Sequence, residues 1–171
     1  LTLWVGPWFR DVVGMERETV AGSLFIVAMA MTAGYLMTGG TASALNRWGF
    51  RTESVVLSGM LVFLGIQVPI ILGVQTGAVI VWALFAFFGT SGSVMFAALS
   101  QYFPGRLMGR VSTMMNLLVF LFAFALQWVI GIIINFFPTS PTGRFDMQGY
   151  QAGFLFLFLL QGLGFCWYWC S

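Results

Sequence analysis

Histidine and lysine are absent from the 171 residues, and Asp and Glu together number five. Without histidine the chain lacks the usual general base and the commonest metal ligand. Gly89-Thr90-Ser91-Gly92 has the outline of a G-x-S-x nucleophile turn, but no imidazole exists to activate Ser91. The two cysteines, Cys166 and Cys170, stand four apart on one helix face. With no histidine and no further thiol they fall short of a metal site and read as packing. No phosphate-binding loop or dinucleotide glycine pattern occurs. An enzyme, a resident metal and a cofactor are therefore not expected. The seven basic residues, all arginine, are too dispersed for a nucleic-acid surface; the absence of lysine among them carries no functional reading.

Charge of either sign is scarce, at 7% of residues, where an ordinary soluble domain has about 25%. Apolar residues make up 60% and mean hydropathy is +0.95. These values predict an integral membrane protein, with the lipid bilayer as its main partner. The twelve charges bunch at 10–18, 47–53, 106–110 and 144–146, leaving uncharged intervals at 19–46, 54–105, 111–143 and 147–171. About 20 apolar residues at 1.5 Å rise cross the hydrocarbon core, so each interval is long enough to span. Gly73 to Gly77 divides the second. The result is an all-α, multi-pass helix bundle with five complete spans, near 19–42, 55–73, 78–103, 111–137 and 150–171. Strict apolar/polar alternation is absent, which excludes barrel strands. Leu1 to Phe9 reads as the last turns of a sixth helix whose beginning lies outside these residues, with Trp4 and Trp8 at headgroup level. Arg10, Asp11, Glu16, Arg17 and Glu18 read as a solvated loop and helix cap. Thr41 to Glu53 reads as a turn between two helices.

Small and polar residues distinguish the spans. Ala30, Gly34 and Thr38 lie four apart in the first and predict a close helix contact. The second is almost wholly apolar, with a kink expected at Pro69, and is expected to face lipid or pack at the periphery; the fifth is dense in Phe and Leu. Thr90, Ser91, Ser93, Ser100 and Gln101 interrupt the third. In the fourth, Asn116, Ala123, Gln127, Gly131 and Asn135 share one stripe. Amides in hydrocarbon need partners, so this stripe either bonds to neighbouring helices or lines a wet cavity.

Ala42-Ser43-Ala44-Leu45-Asn46-Arg47-Trp48-Gly49-Phe50-Arg51 resembles the G-x-L-a-D-R-x-G-r-r signature loop of the major facilitator superfamily, in the copy between helices eight and nine. Arg47, Gly49 and Arg51 match; Ala42, Asn46 and Phe50 replace the first Gly, the Asp and the first basic residue. Tyr102 to Val111 is similar to that superfamily's loop between helices ten and eleven, and Asn116 to Gly131 to the eleventh helix of its bacterial permeases. The resemblance implies most of a C-terminal half, from the end of helix seven through helix twelve, partnered by an N-terminal half outside these residues. It implies a secondary transporter moving a small solute by alternating access, with helices seven, eight, ten and eleven around a central cavity. It also implies gating loops that carry Asn46, Arg47, Gly49, Arg51, Arg106 and Arg110.

By depth and face, Ser91, Asn116 and Gln127 are expected to touch substrate, with Trp82 as a stacking or gating aromatic. No charge sits inside a span, which points to a neutral or apolar substrate. Four arginines on the side of the 43–54 and 104–110 loops, against three opposite, favour the cytoplasm for that side and the C-terminus, and the resemblance implies a bacterial inner membrane. A different class, a non-transporting membrane scaffold, assembly factor or sensor, would use the same helices with the amide stripe satisfied internally.

Overall fold

The first helix, α1 (Thr2–Trp8), holds Pro7 and runs straight into a π-helical turn, Phe9–Val13, which Gly14 ends at φ +77°. In the computed structural model, which describes residues 2–47, 52–93, 103–139 and 143–170, five long helical segments follow. They are α2 (Arg17–Arg47), α3 (Thr52–Ile71), α4 (Ala78–Gly89) with a 3-10 turn at Thr90–Ser93, α5 (Gly105–Asn135) and α6 (Met147–Cys170). Among the described residues there is no strand, only an isolated bridge between Thr139 and Phe145.

Among the described residues, three helices are long and apolar enough to cross a membrane, over Arg17–Thr38, Gly105–Asn135 and Met147–Trp167. Two shorter apolar helices, Leu57–Ile71 and Ala78–Ser93, stand among them. Helix takes up both ends of the segment Thr41 to Glu53, where the sequence predicts a turn. α2 continues through Arg47 and α3 begins at Thr52, because Ala42, Ala44 and Leu45 are strong helix formers. Likewise α5 begins at Gly105, so Arg106 and Arg110 are exposed residues of its first turns rather than of a loop. The break at 72–77 is a tight turn with Gly73 and Gly77 both at φ +70°. A Cβ at Gly73 would also collide with the Met147 side chain at the start of α6.

α2 packs along α4, α3 lies against α2, α4 and α6, and α5 packs on α6. Small residues set these contacts, as lipid supplies no hydrophobic drive between helices. At the α5–α6 crossing, Gly153 and Gly149 face Ile130 and Ile134, with room for a Cβ only 3.1–3.2 Å from the nearest atom. The second and fifth spans each turn one face to protein and leave large apolar side chains exposed on the other. α3 buries Gln67 and Ile70, and α6 buries Tyr150, Phe154 and Leu157. A helix that is apolar all round gives no sign of which face meets protein and which meets lipid.

The buried residues gather toward one end of the bundle. Val5, Trp8, Phe9 and Val12 meet the start of α4 (Ala78, Trp82, Phe85), the end of α5 (Ile130, Ile134) and the start of α6 (Tyr150, Phe154) there. Edge-to-face aromatic contacts run through this core, Trp82 standing 5.6 Å from Trp8, 5.3 Å from Phe85 and 5.8 Å from Phe154. Toward its Arg106 end, α5 is exposed almost all round from Gly105 to Phe122.

Candidate functional site

Directly inside that core lies a cavity of about 300 Å³ to which α2, α3, α4, α5 and α6 all contribute. Phe85, Ala86, Ile130 and Leu157 belong to both, so the core forms the cavity's floor. Its polar lining is Tyr35, Thr90, Gln127 and Gln161. None of the lining residues is an Asp, Glu or Arg. Thr90 is tied into the wall, its hydroxyl donating to the Phe87 carbonyl at 2.7 Å and lying 3.1 Å from the Thr38 hydroxyl. Gln161 accepts at Oε1 a 2.6 Å hydrogen bond from Nε2 of Gln67. Gln67 is 2% exposed, and its own Oε1 is buried without a partner.

Of the four residues expected along a substrate path, Gln127 lines this cavity. Trp82 does not: it is fully buried among Trp8, Phe9, Phe85 and Phe154, one layer below the floor. A large aromatic near the start of a span is placed by the demands of core packing, and here the core claims it. Ser91 lies on a separate groove with Met37, Thr38 and Gly59, between α2 and α3. Asn116 is exposed on α5, about 16 Å along the helix from Gln127. The rest of the stripe divides. Ala123 lines the cavity, Gly131 packs on the Trp4 ring, and the Asn135 amide donates to its own helix at Gly131 O, 2.8 Å away. Of the residues expected to gate, Asn46 and Arg47 end α2 with side chains outside the described residues. Gly49 and Arg51 lie outside the described residues altogether.

The end below the core is closed by a polar hub. Asp11, on the π-helical turn, has a fully buried side chain and pairs with Arg10 at 2.6 Å. Its Oδ2 accepts from the Tyr150 hydroxyl at 2.8 Å and from the Phe145 backbone N–H at 3.4 Å. Gln75 in the α3–α4 turn donates to the Val12 carbonyl at 3.0 Å. The reading of this segment as a solvated loop is therefore corrected at Asp11. π-helical turns are rare and tend to occur where a side chain must be re-aimed. The hydrogen bond and charge of Asp11 raise the Arg10 pKa above its ordinary value. Gln67, Asp11, Gln161 and Tyr35 are polar residues that the sequence alone did not single out. For Gln67 one signal existed, a lone amide in a span otherwise almost wholly apolar.

No protein-family model matches the chain, and no curated protein or solved structure matches it either.

Proposed function

We propose that the chain is the larger part of one half of a secondary membrane transporter, its five long helices spanning the bilayer and its solute resting in the cavity above the aromatic floor. The observation that carries this reading is the cavity itself. It holds about 300 Å³ bordered by five helices, with two amides and two hydroxyls in its lining. A bundle serving only as a scaffold gains stability by filling such a space with apolar side chains. Alternating access requires a midplane site closed on one side at a time. The core and the Asp11 hub supply the closed side, and the exposed length of α5 faces the other. The exposed Arg106 and Arg110 of α5, with Arg47 at the end of α2, favour the cytoplasm for that open side, together with the C-terminus. The sequence resemblance to major facilitator permeases agrees with this arrangement and supplies the expected partner, a second half closing over α5. The cell membrane of a bacterium is the proposed location.

A cysteine replacing Gln127, in a background carrying Cys166→Ser and Cys170→Ser, tests the reading. Membrane-impermeant maleimide added from the Arg106 side is expected to label it, and the same reagent added from the Asp11 side to label it far more slowly. No labelling from either side would mean a dry, sealed bundle and would favour the scaffold. Equal labelling from both sides would mean an open pore. In the transport assay that follows once a solute is known, Asn116→Leu with Gln127→Leu is expected to abolish flux at normal protein levels.

A further inference from the structure

One wall of the cavity carries more polarity than packing needs. Gln161 lines it, and Gln67 stands behind Gln161 as its hydrogen-bond donor, almost fully buried with Oε1 unpartnered. A buried amide left half satisfied costs stability, and leucine at both positions would avoid the cost. The arrangement does fix one thing. With one lone pair of Gln161 Oε1 taken by Gln67, the N–H donors of its Nε2 can turn to the cavity. Gln127 and the Tyr35 hydroxyl also line the space, with Met31, Phe63, Phe85 and Leu126 around them. Among the described residues that line it, none is charged to balance an ionic guest, and an unpaired charge in such a setting is strongly disfavoured.

We infer that the cavity binds an uncharged, mainly apolar molecule bearing a hydrogen-bond-accepting oxygen, which the Gln161 amide recognises while Gln67 holds that amide in place. This rests on the cavity's being the ligand site of the proposed transporter and specifies what it takes. Its volume suits a small ring system, and the rings of Tyr35, Phe63 and Phe85 suit a flat apolar body. The oxygen separates this class from plain hydrocarbon, since Gln161 would otherwise lose water at its N–H without replacement.

The test uses the whole protein in lipid nanodiscs, with Ala123→Cys in the Cys166→Ser, Cys170→Ser background. Ala123 lines the cavity and has no polar role, so the rate at which a water-soluble maleimide modifies the introduced thiol reports occupancy. Four probes of matched shape are compared: 2-acetylnaphthalene, 2-ethylnaphthalene, 2-naphthoate and 2-naphthylmethylammonium. The ketone is expected to protect at concentrations about tenfold lower than the ethyl compound, the worth of one hydrogen bond, and the two ions to protect least. Gln161→Leu should erase the difference between ketone and ethyl compound. Gln161→Glu should shift protection to the ammonium probe, because its carboxylate still accepts from Gln67 and turns a negative oxygen to the cavity. Protection by naphthoate or ammonium equal to that by the ketone overturns the inference. So does an ethyl compound as good as the ketone, and this comparison needs no Gln161 variant to fold. If position 127 is labelled from one side yet the ketone gives no protection, the inference falls and the transporter reading stands. If the ketone protects but labelling shows no sidedness, the site is real and the transporter reading falls.

Discussion

A Gly34→Leu variant is expected to yield little folded protein, while Gly22→Leu, three turns earlier on α2, is expected to fold normally. A Cβ at Gly34 would sit 2.6 Å from the Phe87 carbonyl oxygen and 2.7 Å from the Thr90 hydroxyl. At Gly22 nothing lies within 4 Å. The obstacle at Gly34 is backbone of α4, which cannot rotate aside as a side chain can, so the helices must separate. Separation would break the Thr38–Thr90 hydroxyl contact at 3.1 Å and open the cavity wall at Thr90. Overpacking a core costs about 1–3 kcal/mol where neighbours can adjust; against fixed backbone the effect of a leucine lies at or beyond the top of that range. Gly34→Ala already places that Cβ against the Phe87 carbonyl, so it should be destabilised as well, by less than the leucine. At the open site the sign reverses, and Gly22→Ala should stabilise by about 0.5–1 kcal/mol through helix propensity. Thermal unfolding in detergent, read by size-exclusion of the surviving fraction, distinguishes the four variants. A Gly34→Leu protein that elutes and melts like the parent would show that α2 and α4 do not meet here.

That contact was legible in the sequence because small residues at Ala30, Gly34 and Thr38 repeat at helical spacing, and only a close neighbour gives such spacing a purpose in lipid. The α3–α4 break was legible for a comparable reason, since Gly73 and Gly77 occupy a backbone conformation that other residues resist. Burial was much less legible. Leu155 and Leu157 look alike in sequence, yet one is exposed and the other lies in the core. Membrane helices are apolar on both their lipid and protein faces, so periodicity does not separate them. What does separate them is small size against a neighbour, as at Gly149 and Gly153, or an isolated amide, as at Gln67. Trp82 went astray on the same account, its depth in the span being compatible with cavity or core. Of the cavity, Gln127 and Ala123 followed from the stripe on α5. Gln161 and Tyr35 did not, because one cavity-lining polar residue per helix makes no pattern until the helices are brought together.

Asp11 is the least legible of these residues, and its removal carries the second large effect expected here. Its carboxylate joins the π-helical turn to a segment more than 130 residues away, accepting from the Phe145 backbone N–H and from the Tyr150 hydroxyl at the start of α6. Arg10 is about half exposed, its side chain at 52%, so its pairing energy is screened and contributes modestly. The larger loss lies on the buried side. Asp11→Ala leaves the Tyr150 hydroxyl without its acceptor in a residue that is fully buried, and an orphaned buried donor costs about 1–3 kcal/mol. With the Phe145 N–H also released, a total near 2–4 kcal/mol is expected. Tyr150→Phe removes the hydroxyl together with its need and should cost less than Asp11→Ala. If the two groups act through one bond, the double variant should be no worse than Asp11→Ala alone, giving a coupling of about 1 kcal/mol or more in the cycle. Asp11→Asn keeps an acceptor for Tyr150 and should fall between. Strict additivity of Asp11→Ala and Tyr150→Phe would mean that the carboxylate does not hold α6 in place. The same bond bears on function. The hub lies below the floor of the cavity, so loosening it should let maleimide added from the Asp11 side reach a cysteine at position 127 faster than in the parent. A destabilised protein whose labelling from that side stays slow would place the seal in the aromatic core of Trp8, Trp82 and Phe154 alone.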